Sequence, residues 1–384
     1  MLASSLVPAL LLLVAAAGPP RAHIPAEVRL AELLPLTAAG EVGLLPEHDR
    51  QPFNAVIVTR ATEPCDTVAH SMLDVESYPS RFNVKRAHIL EKSEAGISYE
   101  LELNIAFAPR VPGHVRRAAY DRVVYDDLQT GAQFIYTLHD VAAGCAVTYS
   151  LLETPGKASG WVGVVRALEA SAVDAANFAA GLSSVRGFAK PERARAPMLS
   201  PADDRAFAAL ARHGTALRVV REQGRFPVMV ARRVVDVPFE AARAAVEDRA
   251  QYPKKIEVLR RAEAQDGSAA YHLAAFGGQV AWRTAVATTR EAQSGLLTIV
   301  ERVVGGDLPA GAGRWVWRLR PITGGTDVEL SWDLDLTAGS AILNAIASTD
   351  PAARESLALQ MALSLMGHVV GGRPLGPTTL ASMP

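Results

Sequence analysis

Asp74-Val75-Glu76-Ser77-Tyr78-Pro79 is the stretch that decides the fold, because its frame returns as Asp248-Arg249-Ala250-Gln251-Tyr252-Pro253, 174 positions on (248 minus 74). Working outward, Pro64, Val84 and Arg86 recur at the same spacing as Pro238, Val258 and Arg260, and Gly40 recurs as Gly214. Further along, Leu138, Gly144, Val147 and Ser150 match Leu319, Gly325, Val328 and Ser331 at a spacing of 181 (319 minus 138), so the second copy carries a small net insertion. Matches that hold across different residue types at a fixed spacing are the signature of an internal repeat. The chain has 384 residues and is 49% hydrophobic, too long for one ordinary core and apolar enough for two. Its 39 basic and 40 acidic residues leave a net charge of -1, which gives none of the positive excess that binding to nucleic acid requires.

Within each copy the hydrophobic pattern gives the same order of elements. A strand is expected over Ala55 to Thr62 and over Met229 to Asp236. A helical segment follows, opened by Pro64 or Pro238 and closing near Tyr78-Pro79 or Tyr252-Pro253, since proline disfavours helix at the residue before it. Ile97, Tyr99, Leu101, Leu103, Ile105 and Phe107 alternate with Ser98, Glu100, Glu102 and Asn104, the period-2 pattern of a strand with one wet face. Val328, Leu330, Trp332, Leu334 and Leu336 do the same in the second copy. Both belong to antiparallel meanders. Each copy ends in a long helical pattern, from about Gly160 to Val185 in the first and broken at Asp350-Pro351 in the second. A long helix is the one element left to cover the inner face of a curved sheet. Lys190 to Pro201, with Pro191 and Pro197 among charges, reads as the linker, and Ser200 as the cap of the next helix with Pro201 at its first position.

This order, with its Tyr-Pro motif, resembles the START-like helix-grip superfamily, which includes bacterial polyketide cyclases and lipid-transport proteins. The resemblance covers roughly residues 54 to 187 and 228 to 372. It implies an α+β chain of two tandem helix-grip domains, each a curved antiparallel sheet wrapped around a long C-terminal helix. It also implies an apolar ligand held between helix and sheet, with Tyr-Pro in a structural role. The domain plan is a signal peptide over 1–22, a first domain with an N-terminal extension over 26–189, a linker over 190–200, a second domain with its own extension over 201–374, and a tail over 375–384. The extensions before each copy add an edge strand or a lid.

The apolar run from Leu6 to Ala17, with Ala15 and Ala17 placed as in a cleavage site, is the basis for the signal peptide and for an exported protein. It is shorter than the roughly 20 residues that a membrane-spanning helix needs. Cys65 and Cys145 either pair or stand as two separate buried thiols. No C-x-x-C motif or histidine cluster points to a metal, and no nucleophile elbow, phosphate loop or dinucleotide fingerprint points to a cofactor. His139 and His272 lie in strands with no partner at ligand spacing, and Asp74 and Asp248 read as local hydrogen-bonding residues. No catalytic residue is assigned.

The candidate ligand wall is aromatic. Trp282, Trp315, Trp317 and Trp332 fall on expected strands of the second copy, where large rings with one polar N–H suit either an apolar pocket or an ordinary aromatic core. Phe107, Phe134, Tyr136 and Tyr149 form the matching, more polar wall of the first copy. Opposite them, Ala172, Ala176, Ala179 and Ala180 offer either space or close helix packing, whereas Met361 and Met366 offer adaptable bulk. The expected function is non-catalytic binding or transport of a hydrophobic, lipid-like molecule, with transient contact at a membrane surface and no nucleic-acid partner. A cyclase or aromatase-type enzyme would require an inward titratable group, and the strand patterns place most charges outward. A ligand-free interaction module is the third reading.

Overall fold

Tyr78 shows why its motif recurs. Its hydroxyl lies 2.6 Å from the carbonyl oxygen of Met72, and the Tyr252 hydroxyl donates to the carbonyl of Val246 at 2.5 Å, the same reach of six residues back to a helix end. Each phenol thus reaches a carbonyl at the end of the preceding helix, where the helix itself supplies no donor. The neighbouring proline does not end the helical segment, as the sequence pattern suggests. It begins a new helical turn, because a proline in the first turn needs no N–H partner and its fixed φ suits the helix.

The computed structural model describes residues 33–46, 56–152, 181–188 and 199–372, apart from 83, 104–109, 130, 132, 143, 221–225, 257, 266, 276–277 and 350. The chain divides into two units, Met1–Pro197 and Met198–Pro384. In the first, β1 (Glu41–Pro46) and β2 (Val56–Ala61) precede α1 (Cys65–Leu73), a tight turn at Val75–Ser77 and α2 (Tyr78–Arg81). A six-strand meander follows: β3 (Val84–Ser93), β4 (Gly96–Leu103), β5 (Arg110–Ala119), β6 (Arg122–Asp127), β7 (Gln133–Val141) and β8 (Gly144–Leu152). The meander closes through β8 onto β2, and β1 adds a further antiparallel strand beside β2. The extension before the first copy therefore supplies a strand.

The second unit repeats this order. After α3 (Pro201–Leu210) come β9 (Gly214–Val220), β10 (Val228–Val235), α4 (Phe239–Glu247), a turn at Arg249–Gln251 and α5 (Tyr252–Lys255). The meander is β11 (Leu259–Gln265), β12 (Ser268–Ala275), β13 (Gly278–Arg290), β14 (Leu297–Gly306), β15 (Gly313–Ile322) and β16 (Gly325–Leu334), and β16 pairs with β10, which pairs with β9. Ser200 caps α3, its hydroxyl accepting from the Asp203 N–H at 3.2 Å with Pro201 in the first turn.

The closing helix of the second unit is broken where the sequence breaks it, into α6 (Ala341–Thr349) and α7 (Pro351–Ser364), with a wider-wound turn over Leu365–Val370. Leu343 of α6 stands against Gly278 at the start of β13, and α7 packs on β10 and β16. In the first unit only residues 181–188 of the final helix are described. There the helix lies close to the sheet: a Cβ on Gly181 would stand 2.6 Å from both Ile57 and Tyr149. Ala172, Ala176, Ala179 and Ala180, like Phe107 and the signal peptide, lie outside the described residues.

Candidate functional site

On β13, β14, β15 and β16 burial alternates residue by residue, which sorts the side chains into an inner and an outer face. Trp282, Trp315, Trp317 and Trp332 all point inward and are at most 2% exposed. The Trp315 and Trp332 rings are stacked with centroids 5.1 Å apart, and Trp282 stacks on Tyr271 of β12 at 5.3 Å. Tyr271 also meets Trp315 edge-on at 5.2 Å. Met361 of α7 and Met366 of the following turn are buried within the same unit. The second unit thus gathers Trp282, Trp315 and Trp332 with Tyr271 into one buried aromatic group, and Trp317 is buried on the same face of β15.

It also brings in charge. Glu301, fully buried on β14, accepts from Arg249 Nε at 2.8 Å, from the Tyr271 hydroxyl at 2.7 Å and from the Thr284 hydroxyl at 3.1 Å. Arg249, 6% exposed, also donates from Nη1 to the Glu247 carbonyl at 3.1 Å. Burial opposes the charge on Arg249, but Glu301 beside it, with Tyr271 and Tyr252, more than offsets this and holds the guanidinium above its ordinary value. Burial first, and then the Glu301 carboxylate, pushes the Tyr271 phenol well above its usual range. Burial likewise raises Tyr252.

The expectation that strand charges point outward fails at Glu301. The signal was present in the phase of β14: Leu297, Ile299 and Val303 are the inward residues, and Glu301 sits in step with them. Arg249 was legible in another way, since it occupies the repeat position of the buried Val75.

Register identifies the matching place in the first unit. Glu301 pairs with Trp315 as Tyr125 pairs with Phe134, so Tyr125 stands where the second unit has Glu301. Glu301 pairs with Val286 as Tyr125 pairs with Val115, so, counting back along the same face of each strand, Gly113 stands in place of Thr284 and Val111 in place of Trp282. The first unit fills this space with phenols. The Tyr125 hydroxyl donates to the Met72 carbonyl at 2.5 Å and lies 3.0 Å from that of Tyr78. The Tyr99 ring lies over Gly113, where a Cβ would approach its Cζ to 2.5 Å. Tyr136 and Tyr149 are buried, with centroids 5.3 Å apart, whereas Phe134 is half-buried. From the helical stretch 181–188, Phe188 stacks on Tyr125 at 5.6 Å, and Ser184 hydrogen-bonds the Tyr136 hydroxyl. Burial raises the Tyr78, Tyr99, Tyr125, Tyr136 and Tyr149 phenols above their ordinary range.

Cys65 at the start of α1 and Cys145 on β8 form a disulfide, closing the alternative the sequence leaves open. Among the described residues no group of His, Cys, Asp or Glu side chains is placed to hold a metal, and no helix is long and apolar enough to cross a membrane.

No protein-family model and no curated protein matches the chain. Among solved structures, it is similar to the di-domain ARO/CYC StfQ from the steffimycin biosynthetic pathway, at 11% identity and a TM-score of 0.27, over 81% of this chain and 98% of that one. A STAR-related lipid transfer protein fragment from Xanthomonas axonopodis matches at 16% identity and a TM-score of 0.27, over 39% of this chain and 93% of its own. The human StarD13 lipid transfer and protein localization domain matches at 13% and 0.30, over 40% and 84%. Strand, helical segment carrying Tyr-Pro at the start of its last turn, six-strand antiparallel meander and closing helix are present in the second unit, and the first repeats them through Leu152 and again over 181–188. That order, an antiparallel meander closed by a helix and present in each of the two units, is the order of a helix-grip fold.

Proposed function

We propose that the protein is an exported carrier that binds an apolar, lipid-like molecule between the sheet and the closing helix of its second unit, without covalent chemistry. The observation that carries this reading is the inward row Trp282, Trp315, Trp317 and Trp332, with the adaptable Met361 and Met366 in the same buried interior. Removing about 300 Å² of apolar ligand surface from water there would contribute roughly 7 kcal/mol. The Cys65–Cys145 disulfide supports export, because such bonds persist in oxidising compartments. The first unit contributes less to binding in this reading, since its phenols and Phe188 pack on one another.

A cyclase-type enzyme gains one supporting observation, the inward Glu301. Its two oxygens already accept from Arg249, Tyr271 and Thr284, however, and a carboxylate so engaged is a poor proton acceptor until a ligand displaces one of them.

Native mass spectrometry of the purified protein, followed by solvent extraction, tests the carrier reading. A co-purifying apolar molecule at a defined stoichiometry is expected. A clean unliganded mass with no uptake from a bacterial lipid extract would refute it.

A further inference from the structure

The hairpin that joins β14 to β15 differs in charge from its counterpart in the first unit. Arg302 of β14 and Arg314 of β15 are Cα partners at its base, and both are exposed on the outer face, since the adjoining Glu301 and Trp315 point inward. Arg283 of β13 lies exposed on the same face, opposite Gly305 and diagonal to Arg302. Like charges directly opposite one another are unfavourable. Arg314 Nε lies 3.8 Å from Asp333 Oδ2, and among the described residues neither Arg283 nor Arg302 forms an ion pair. In the first unit Tyr125 stands in the place of Glu301, so Asp126 stands in that of Arg302 and Gln133 in that of Arg314. There the row is satisfied from within: Gln133 Nε2 donates to Asp126 Oδ1 at 2.6 Å, and Arg116 Nε lies 3.5 Å from Asp126 Oδ2. The fold therefore does not need the arginine pair. The tip of the hairpin, Val304 to Ala312, carries one charged side chain, Asp307, whose carboxylate accepts from the Ala281 N–H at 2.7 Å. Val304 is the residue left over where the strand ladder shifts and is 47% exposed, and Pro309, Ala310 and Ala312 are exposed as well. Leu308 anchors the tip: it is fully buried, 3.0 Å from where a Cβ on Gly339 would stand, at the end of the turn that leads into α6. α6 itself has no charged residue and leaves Ile342 45% exposed.

We propose that this hairpin docks the protein on an anionic lipid surface, its uncharged tip entering the interface while Arg283, Arg302 and Arg314 take lipid phosphates. Guanidiniums that outnumber the carboxylates beside them call for anions, and an anion between Arg302 and Arg314 relieves their repulsion. The planar guanidinium suits phosphate, which it binds through two parallel N–H groups. The exposed Val304 beside the arginines favours a membrane over a free anion, because only a membrane places an apolar layer next to its charge. The matching turn of the first unit also exposes an apolar residue, Leu128 at 56%, but Asp126 and Asp127 precede it and no arginine pair stands at its base. Docking does not require an occupied interior, so it stands apart from the carrier reading.

The test is cosedimentation of the full chain with vesicles of phosphatidylcholine alone and of an equal mixture of phosphatidylcholine and phosphatidylglycerol. Binding to the mixed vesicles that weakens with salt, and little binding to phosphatidylcholine alone, is expected. Arg302→Asp combined with Arg314→Gln copies the first unit and removes roughly three units of positive charge from the row; at about fivefold per charge it should weaken binding to the mixed vesicles about a hundredfold. The melting temperature of this variant should be unchanged or higher, because the repulsion across the pair is gone. That sign separates lost docking from misfolding. Val304→Asp should weaken binding about tenfold, whereas Leu128→Asp in the first unit should leave it unchanged. Equal binding to both vesicles, no binding to either, or variants that bind as the parent does would overturn the proposal. So would a melting temperature raised by inorganic phosphate without vesicle binding, which reduces the arginines to a free-anion site, or binding to polyglutamate but not to vesicles, which assigns them to an acidic protein. None of these outcomes bears on whether an apolar molecule co-purifies, which tests the carrier reading alone.

Discussion

Replacing Arg249 and Glu301 singly and together separates their contribution to the fold from any role in binding. Arg249→Val leaves a carboxylate at 0% exposure without its cation. Glu301→Tyr leaves a guanidinium at 6% exposure without its anion and takes an acceptor from Tyr271 and Thr284. Breaking a buried pair from either side costs about 3 to 5 kcal/mol, because an uncompensated charge remains behind. Removing both charges with packable side chains is about neutral or stabilising, and Val75 with Tyr125 shows that this backbone frame packs such a pair. Two single variants at about 3 kcal/mol each and a double variant near zero give a coupling of about 6 kcal/mol, above the roughly 3 usual for touching residues. Urea unfolding followed by tryptophan fluorescence provides the assay, since four of the five tryptophans lie in this unit. Single variants that each lose less than about 1 kcal/mol, with a double variant equal to their sum, would refute the reasoning, because the pair would then behave as if solvated.

Three further outcomes follow from the geometry. Reduction of Cys65–Cys145, which are 80 residues apart, should destabilise the first unit by about 4 kcal/mol through the freedom returned to the unfolded chain; urea transitions followed by circular dichroism with and without a phosphine reductant check this, and an unchanged first-unit midpoint contradicts it. Tyr78, Tyr99, Tyr125, Tyr136 and Tyr149 have folded-state pKa values above the ordinary 10.0. Their stabilisation is whole below pH 10 and is lost as pH rises beyond it, because the unfolded chain ionises first, at up to about 7 kcal/mol per pH unit for five groups against about 3 for Tyr252 and Tyr271. Absorbance at the phenolate band should therefore show the first unit unfolding before the tryptophan signal of the second changes; smooth ionisation of all phenols near pH 10 with no unfolding would count against it. Gly113→Ala places a methyl 2.5 Å from the Tyr99 ring and should cost about 1 to 3 kcal/mol in thermal or urea unfolding, and no measurable loss would show that the ring can move aside.

Much of this architecture was legible because strands and helices announce themselves through period. The alternation over Ile97 to Leu103 became β4, the break at Asp350-Pro351 separated α6 from α7, and Ser200 capped α3 as its sequence context suggests. The helical boundary at Tyr78-Pro79 was misread because proline restricts both the residue before it and the turn it opens, and here the second effect prevails. The four tryptophans could be placed on the inner face from pattern alone. Glu301 could not be valued without its partners: a carboxylate in step with Leu297 and Ile299 resembles a local irregularity until Arg249, far away in sequence, is seen to bond it. The disulfide was beyond reach for the same reason, since spacing does not tell which thiols meet.

The first unit also bears on why the second carries charge inside. The same frame closes there with Val75, Tyr125 and Val111, so neither the ion pair nor the Trp282 ring is a requirement of the fold. Reaching the arrangement of the second unit from that of the first takes several changes that are unfavourable alone: a guanidinium without its carboxylate, a carboxylate without its guanidinium, an indole without an acceptor. The guanidinium and the carboxylate find each other, but the Trp282 indole nitrogen and Arg249 Nη2 have no hydrogen-bond partner among the described residues. The two interiors therefore fill one frame by different chemistry, and the second is expected to be the more sensitive to loss of a single buried group.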